Sequence, residues 1–343
     1  MESKALRAYA IVFAVVAVGT IAWIGWRAYS LYMTPIAERT AVVRFPTGGT
    51  RADLVDTLVR AEVVTDTATL RKAMDKLDLS YRAGQFEIRE GMSAKELVDH
   101  LKAGEQKAAK VVLTNGRLLS DVAKKATRFV ETDSAALHAA LLDSAWMDSL
   151  GYAPETVLNV AIPNTYNVYW NASGEELRDR LYAEAQRFWQ RKDRVAKADS
   201  LGLTPMEAYT LASIVDAETN VTDEMPTIAG VYLNRLRRGI KLDADPTVVF
   251  AIGDFSLRRV LYKHLEHDSP YNTYMYAGLP PGPIMMPGID AIDAVLNPEQ
   301  HDYLFFVAKG DGSGAHLFAK NMTGHSRNIR KFQQSLRERG VRR

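Results

Sequence analysis

Apolar and polar positions alternate with different rhythms along this chain, and each rhythm marks a region. From Ala8 to Trp26 there is no rhythm, only an uncharged and mostly apolar run, with Lys4 and Arg7 before it and Arg27 after it. About 20 such residues cross the ~30 Å of hydrocarbon in a bilayer. Tyr9, Trp23, Trp26 and Tyr29 lie near the ends of the run, where amphipathic rings favour the interface. A transmembrane helix over 8–26 is therefore expected. A cleaved signal peptide is the rival, with a small-x-small site at Ala28-Tyr29-Ser30, but signal cores are usually only ~7–15 residues long.

After a stalk over 27–40, broken by Pro35, the periods shorten. Val42–Phe45 reads as a strand, Thr47-Gly48-Gly49 as a turn, and Thr50 as the N-cap of a helix carrying Leu54, Val55 and Leu58. A second helix over Thr67–Leu77, a strand over Gly84–Ile88 and a helix opened by the Ser93–Glu96 capping box complete a small α+β module over 41–105. It is either a packing spacer or a glycan-binding module of LysM-like layout. Residues 106–202 form a helical connecting part: a short strand at Val111–Leu113, a helix near Ser120–Thr127, and another over Asp133–Leu150 stopped by Gly151. The aromatic-rich Ile162–Trp170 segment reads as a loop, more as packing than as a sugar wall, and Ser173 caps a long charged helix to about Ala198.

The core, 203–335, opens on the best-specified helix of the chain. Thr204 caps it, Pro205 suits its first position and Glu207 completes a capping box. Leu211, Ile214, Val215 and Glu218 then follow at i, i+3, i+4 and i+7, which is one helical face. A carboxyl group thus occupies a core position, while Asp216 is rotated about 200° away. Glu218 is either a general acid in a poorly solvated cleft or half of a buried ion pair with Arg235 or Arg237; desolvation raises a carboxyl pKa and an arginine lowers it. Beyond it come a helix over Met225–Arg238, dense proline and glycine signals from Asp243 to Pro283, a buried strand at Tyr303–Ala308 and its hairpin partner at His316–Phe318. A last helix, Gly324 to about Leu336, leads into a basic tail over 336–343. The fold class is α+β: an N-terminal transmembrane helix, the small module, and a mixed α/β catalytic domain.

Composition narrows the chemistry. With 343 residues, 47% hydrophobic, 24% charged and a net charge of +2, the chain is globular and nothing marks it for nucleic acid. It has no cysteine, which excludes disulfides and thiolate metal sites. His264 and His267 lack a His-Glu-x-x-His context or a third ligand, and Gly310–Gly314 lacks the Lys-Ser/Thr of a phosphate loop. No Gly-x-Ser-x-Gly elbow occurs. His301 and His325 read as satisfied surface residues, and His316 as either that or a substrate contact.

Several motifs in one order resemble the MltG (YceG-like) endolytic murein transglycosylases. They are Leu211–Thr219, Val231–Leu236, Asp245-Pro246-Thr247-Val248-Val249, Tyr271-Asn272-Thr273-Tyr274, Gly278–Ile284, Pro287-Gly288 and Tyr303–Ala308 with His316 and Phe318. The resemblance implies a protein anchored in the inner membrane, residues 1–7 cytoplasmic and the catalytic domain extracytoplasmic. Its implied partners are peptidoglycan glycan strands, membrane lipid and peptidoglycan synthases. It implies cleavage of the MurNAc-β-1,4-GlcNAc bond within nascent strands, leaving a 1,6-anhydro end and terminating elongation, with Glu218 as the catalytic residue. Asp216, Asp245, Tyr271, Asn272, Tyr274 and His316 are the candidates for supporting it or lining the cleft. Two positions depart from the family pattern: Asp216 stands where glutamate is usual, and Ile162-Pro163-Asn164-Thr165-Tyr166 stands for Phe-Pro-Asp-Thr-Tyr.

One carboxyl group suffices for such chemistry, because the acceptor is the sugar's own C6 hydroxyl and no water need be positioned. No metal or organic cofactor is expected. A non-catalytic peptidoglycan-binding scaffold and a hydrolytic muramidase are the alternatives.

Overall fold

The computed structural model describes residues 2–257 and 259–340. Residues 341–343 of the expected basic tail lie outside them. The chain forms two compact units. The first runs to Ala109 and includes Phe129–Glu131 and Asn167–Ala172; the second takes the remainder of the chain.

The first unit begins with α1 (Glu2–Tyr32), in which Tyr9–Ser30 is long and apolar enough to cross a membrane. β1 (Ala41–Phe45), α2 (Arg51–Arg60), α3 (Thr67–Lys76), β2 (Gly84–Ile88) and α4 (Ala94–Ala103) follow. β1 and β2 pair antiparallel, Val43 opposite Phe86, although no tight turn joins them. Phe45, Leu58, Leu70, Phe86 and Leu97 from all five elements close one core. The caps form as the sequence dictates: Thr50 with Asp53, Ser93 with Glu96, and Gly104 in the left-handed region at φ 70°. The expected stalk is largely absorbed into this unit. Ile36 and Ala37 are buried, their N–H groups donate to Met92 O at 2.9 and 3.1 Å, and Glu38 N–H donates to Val63 O at 2.8 Å.

The second unit is mostly helical. β3 (Ala109–Leu113) leads into it, followed by α5 (Leu119–Ala126), α6 (Ser134–Leu141) and α7 (Ser144–Leu150). The single helix expected over 133–150 is thus two. Asp143 turns out of helical geometry and accepts Trp146 N–H at 2.7 Å, a new N-cap that outcompetes continuation. The aromatic-rich segment is a strand, β4 (Asn164–Val168), paired with β3, and not a loop. The long charged helix is also divided, into α8 (Gly174–Gln190) and α9 (Arg194–Ser200), because Lys192 and Asp193 adopt positive φ of 57° and 54°.

Then come α10 (Pro205–Glu218), α11 (Met225–Arg237), α12 (Asp245–Ile252), α13 (Tyr262–Leu265) and α14 (Ile289–Leu296). α12 and α13 stand where only loop signals were read, and α14 where no element was read. β5 (Phe305–Ala308) and β6 (His316–Ala319) make the expected hairpin, Phe306 opposite Phe318, but β5 is half-exposed and not a buried strand. α15 (Met322–Glu338) packs on both strands. α10 is the hub of this unit, buried from Ala208 to Val215 and surrounded by α9, α11, α12 and α14. The amphipathic stripe read from sequence understates it: a helix covered on every side can expose only its ends.

Candidate active site

The last turn of α10 is where it emerges from that packing. Asp216 and Glu218 are partly exposed, and with Asn220 they line a cavity of about 530 Å³. Asp216 was expected to point elsewhere, and it lines the same cavity as Glu218. Asp216 Oδ2 accepts the Gly288 N–H at 3.1 Å, at the head of α14. Burial raises its carboxyl above the usual range, and that hydrogen bond opposes the rise.

Glu218 is pushed further, to about 7. Loss of water around the carboxyl is the main cause. The Tyr232 hydroxyl donates to Oε1 at 2.7 Å and pulls the other way, the charge of Asp245 raises it again, and Arg235 lowers it slightly. Glu218 also ends α10, where unpaired carbonyls form the negative pole of the helix and disfavour another negative charge. Tyr232 is itself fully enclosed in α11, and burial lifts its hydroxyl well above its ordinary range, so it remains a donor.

The ion pair does not form. Arg235 Nε donates to Leu304 O at 2.7 Å, and Nη1 donates to Lys241 O, Leu242 O and Asp243 Oδ2 at 2.9, 3.0 and 2.8 Å. The guanidinium fastens the α11 end to the 241–243 loop and to the entry of β5, while Arg237 is exposed. Glu218 therefore keeps a cationic neighbour without being neutralised by it.

Asp245 opens α12, and its Oδ1 accepts the Tyr274 hydroxyl at 2.7 Å. Both residues, with Glu218, Arg235 and Phe306, line a second cavity of about 370 Å³. Glu218 and Asp245 thus belong to both cavities. A buried threonine pair sets this geometry: Thr247 and Thr273 hydroxyls lie 2.8 Å apart, and Ala244 N–H donates to Thr273 Oγ1 at 3.0 Å.

The other candidates stand further back. Asn272 is fully buried, its amide donating to Leu265 O and His267 O at 2.9 and 2.8 Å and its Oδ1 accepting Tyr274 N–H at 3.0 Å. It shapes the loop that presents Tyr274. Tyr271 packs on Phe250, ring centroids 4.7 Å apart, and burial lifts its hydroxyl to about 12; Phe250 itself lines the first cavity. His316 Nδ1 lies 3.0 Å from Glu224 Oε2 and its ring meets Phe306 edge to face at 5.4 Å, one side chain behind the second cavity. Among the described residues no group of three His, Asp or Glu side chains is placed to hold a metal ion.

Sequence reasoning missed Tyr232, and also Arg117, Phe255 and Arg259 in the wall of the first cavity. Tyr232 was detectable: with Ile228 and Arg235 it follows an i, i+4, i+7 row on α11, a hydroxyl within an otherwise buried stripe. The wall residues come from two loops, Arg117 ahead of α5 and Phe255 and Arg259 between α12 and α13, and have no common period to betray them.

Residues 43–331 match the model of the YceG-like family. The chain is 28% identical over 327 residues to an endolytic murein transglycosylase of Bacillus subtilis (strain 168), across 88% of this chain and 87% of that protein. It is 27% identical over 333 residues to an endolytic murein transglycosylase of Streptococcus pneumoniae serotype 2 (strain D39), across 87% of this chain and 59% of that protein. A solved YceG-like protein from Listeria monocytogenes superposes with a TM-score of 0.54 at 26% identity, across 84% of this chain and 98% of that one. The family match takes in the first unit from Val43 onward as well as α10, Tyr232, Asp245 and the β5–β6 hairpin, and the chain belongs to the YceG-like family.

Proposed function

We propose that this chain is a membrane-anchored endolytic lytic transglycosylase that cuts the MurNAc-β-1,4-GlcNAc bond of peptidoglycan strands and leaves a 1,6-anhydroMurNAc end. The observation that carries this reading is a carboxyl group with a pKa near 7 at the meeting of two cavities. A site with room on both sides of its acid suits a bond inside a strand better than one at its tip. The names of the Bacillus and Streptococcus relatives support the same class of reaction.

In this mechanism Tyr232 fixes Oε1 and the proton resides on Oε2. Oε2 protonates the leaving O4 as the C1–O4 bond breaks, and the N-acetyl group steadies the cationic ring. The resulting carboxylate then takes the C6 hydroxyl proton while O6 closes on C1, which restores the acid. A pKa near the working pH serves both halves of this cycle. The α1 helix would hold the chain in the membrane with the chain beyond it outside the cytoplasm. The strand and helix order of the first unit supports a LysM-like role in holding glycan.

Asp245 favours a second reading, a hydrolytic muramidase, because a second carboxyl group beside the acid is what water activation requires. Product mass separates the two, since a reducing end is one water heavier than an anhydro end. Glu218→Gln should retain the fold and lower release of anhydro-ended products by ~10²–10⁴-fold, the scale of general acid–base catalysis. Parental rates from that variant would end the proposal.

A further inference from the structure

The first cavity carries charges of both signs. Glu218, Asp216 and Asp245 line it, and so do Arg117 and Arg259. Arg117 and Met285 also line an adjoining cavity of about 440 Å³ whose other walls include Asn115, Asp121, Lys124 and Lys125. Backbone pairing pins this junction, because Met286 N–H donates to Gly116 O at 2.7 Å.

The charges here are not spent on one another. Asp121 accepts the N–H groups of Arg117 and Leu118 at the head of α5, at 3.3 and 3.0 Å. Lys125 is tied to the carbonyl and side-chain oxygens of Asn115. The Arg117 guanidinium lies over the Phe255 ring, its Cζ 4.4 Å from the centroid. Among the described residues Arg117, Lys124 and Arg259 have no carboxylate partner, although acids line the same cleft. A guanidinium held on a ring, with a flexible ammonium lining the same cavity, suits a planar anion.

The sugar backbone of a peptidoglycan strand is uncharged, but the peptide borne by each muramic acid residue carries carboxylates. Resting on the activity proposed above, we infer that Arg117, Lys124 and Arg259 form a subsite for a peptide carboxylate of the strand being cut. One such peptide stands beside every internal bond, as an endolytic enzyme needs, whereas a lipid pyrophosphate occurs only at a strand end. The subsite would make the enzyme read the peptide as well as the glycan, and favour strands whose peptides are intact and charged.

The test is binding of fluorescently labelled, uncross-linked strands to the detergent-solubilised full chain carrying Glu218→Gln, so that nothing is cleaved. The strands are used with native peptides and with every peptide carboxylate converted to its methylamide. Adding R117Q and K124Q should weaken binding of native strands roughly five- to tenfold. Methylamidation should weaken binding to the Glu218→Gln chain by a similar factor, and the two losses should not add, because they remove the same contact. Equal weakening of both strand types by R117Q and K124Q, or no weakening, overturns the subsite. Release of anhydro ends by the parental chain is scored separately; its failure would condemn the proposed activity, while the subsite is judged on affinity alone.

Discussion

Glu218 holds its proton to about 7 in the folded chain, against an ordinary value of 4.5 once unfolded. Between those values the folded state binds more protons than the unfolded one, so stability falls as pH rises through that window and stays at its lower level above it. Glu218→Gln removes the loss. Its melting temperature should exceed the parental one at pH 8 by the equivalent of ~1–2 kcal/mol, reduced for partial exposure, and approach it at pH 4. Thermal unfolding at both pH values checks this, and a variant less stable than its parent at pH 8 would contradict it. Tyr232→Phe tests the same carboxyl differently. It deletes the hydrogen bond that favours the charged form, so the alkaline limb of the pH–rate profile should move to higher pH; a downward move would refute the role given to Tyr232. Glu218 was legible in the sequence because an acid in an apolar row is an anomaly. Tyr232 left a weaker trace, its place in the buried row of α11, because tyrosine sits in cores and in hydrogen bonds alike.

At the level of elements, legibility followed how local the signal was. α10 could be read to the residue, since Thr204, Pro205 and Glu207 fix its start within four positions. α12 and α14 could not. Asp245-Pro246 and Pro287-Gly288 look like loop punctuation, yet proline also suits a first helical turn, and Ile292, Val295 and Leu296 supply the buried face that stabilises α14. The breaks at Asp143 and at Lys192–Asp193 depend on which of two adequate local geometries packs better, a tertiary choice. The Gly278–Pro283 loop shows a similar tertiary demand. A Cβ on Gly282 would come within 1.9 Å of Glu155 O, a backbone atom that cannot rotate aside. Gly282→Ala should therefore lower stability by ~1–3 kcal/mol through forced backbone shifts, measured by denaturant unfolding. A neutral substitution would mean that this close approach carries no strain.

For the whole molecule, the sequence marked an apolar helix by its unbroken apolar run, and a small α+β module and a helix-rich core by their different hydrophobic periods. It could not show that residues 36–38 belong to the module, since partners distant in sequence, among them Val63, Thr65, Gly91 and Met92, hold them there. What remains between α1 and the first pinned backbone is little more than Met33 and Thr34. At ~3.3–3.6 Å per extended residue that leaves slack of only ~7 Å. If the cut is placed by height above the membrane, ten residues inserted between Met33 and Thr34 should shift the length distribution of released strands, resolved by chromatography of the products. An unchanged distribution would dismiss such a ruler.

If α1 anchors the chain in the membrane as proposed, a tether this short also changes what concentration means for the enzyme. A chain so held would meet its substrate by drifting sideways with it, so encounters would scale with how many strands share a patch of membrane area and hardly at all with how much wall lies beyond. Mature layers would then be out of bounds by distance alone, and the first strands exposed to cutting would be those still being laid down at the surface.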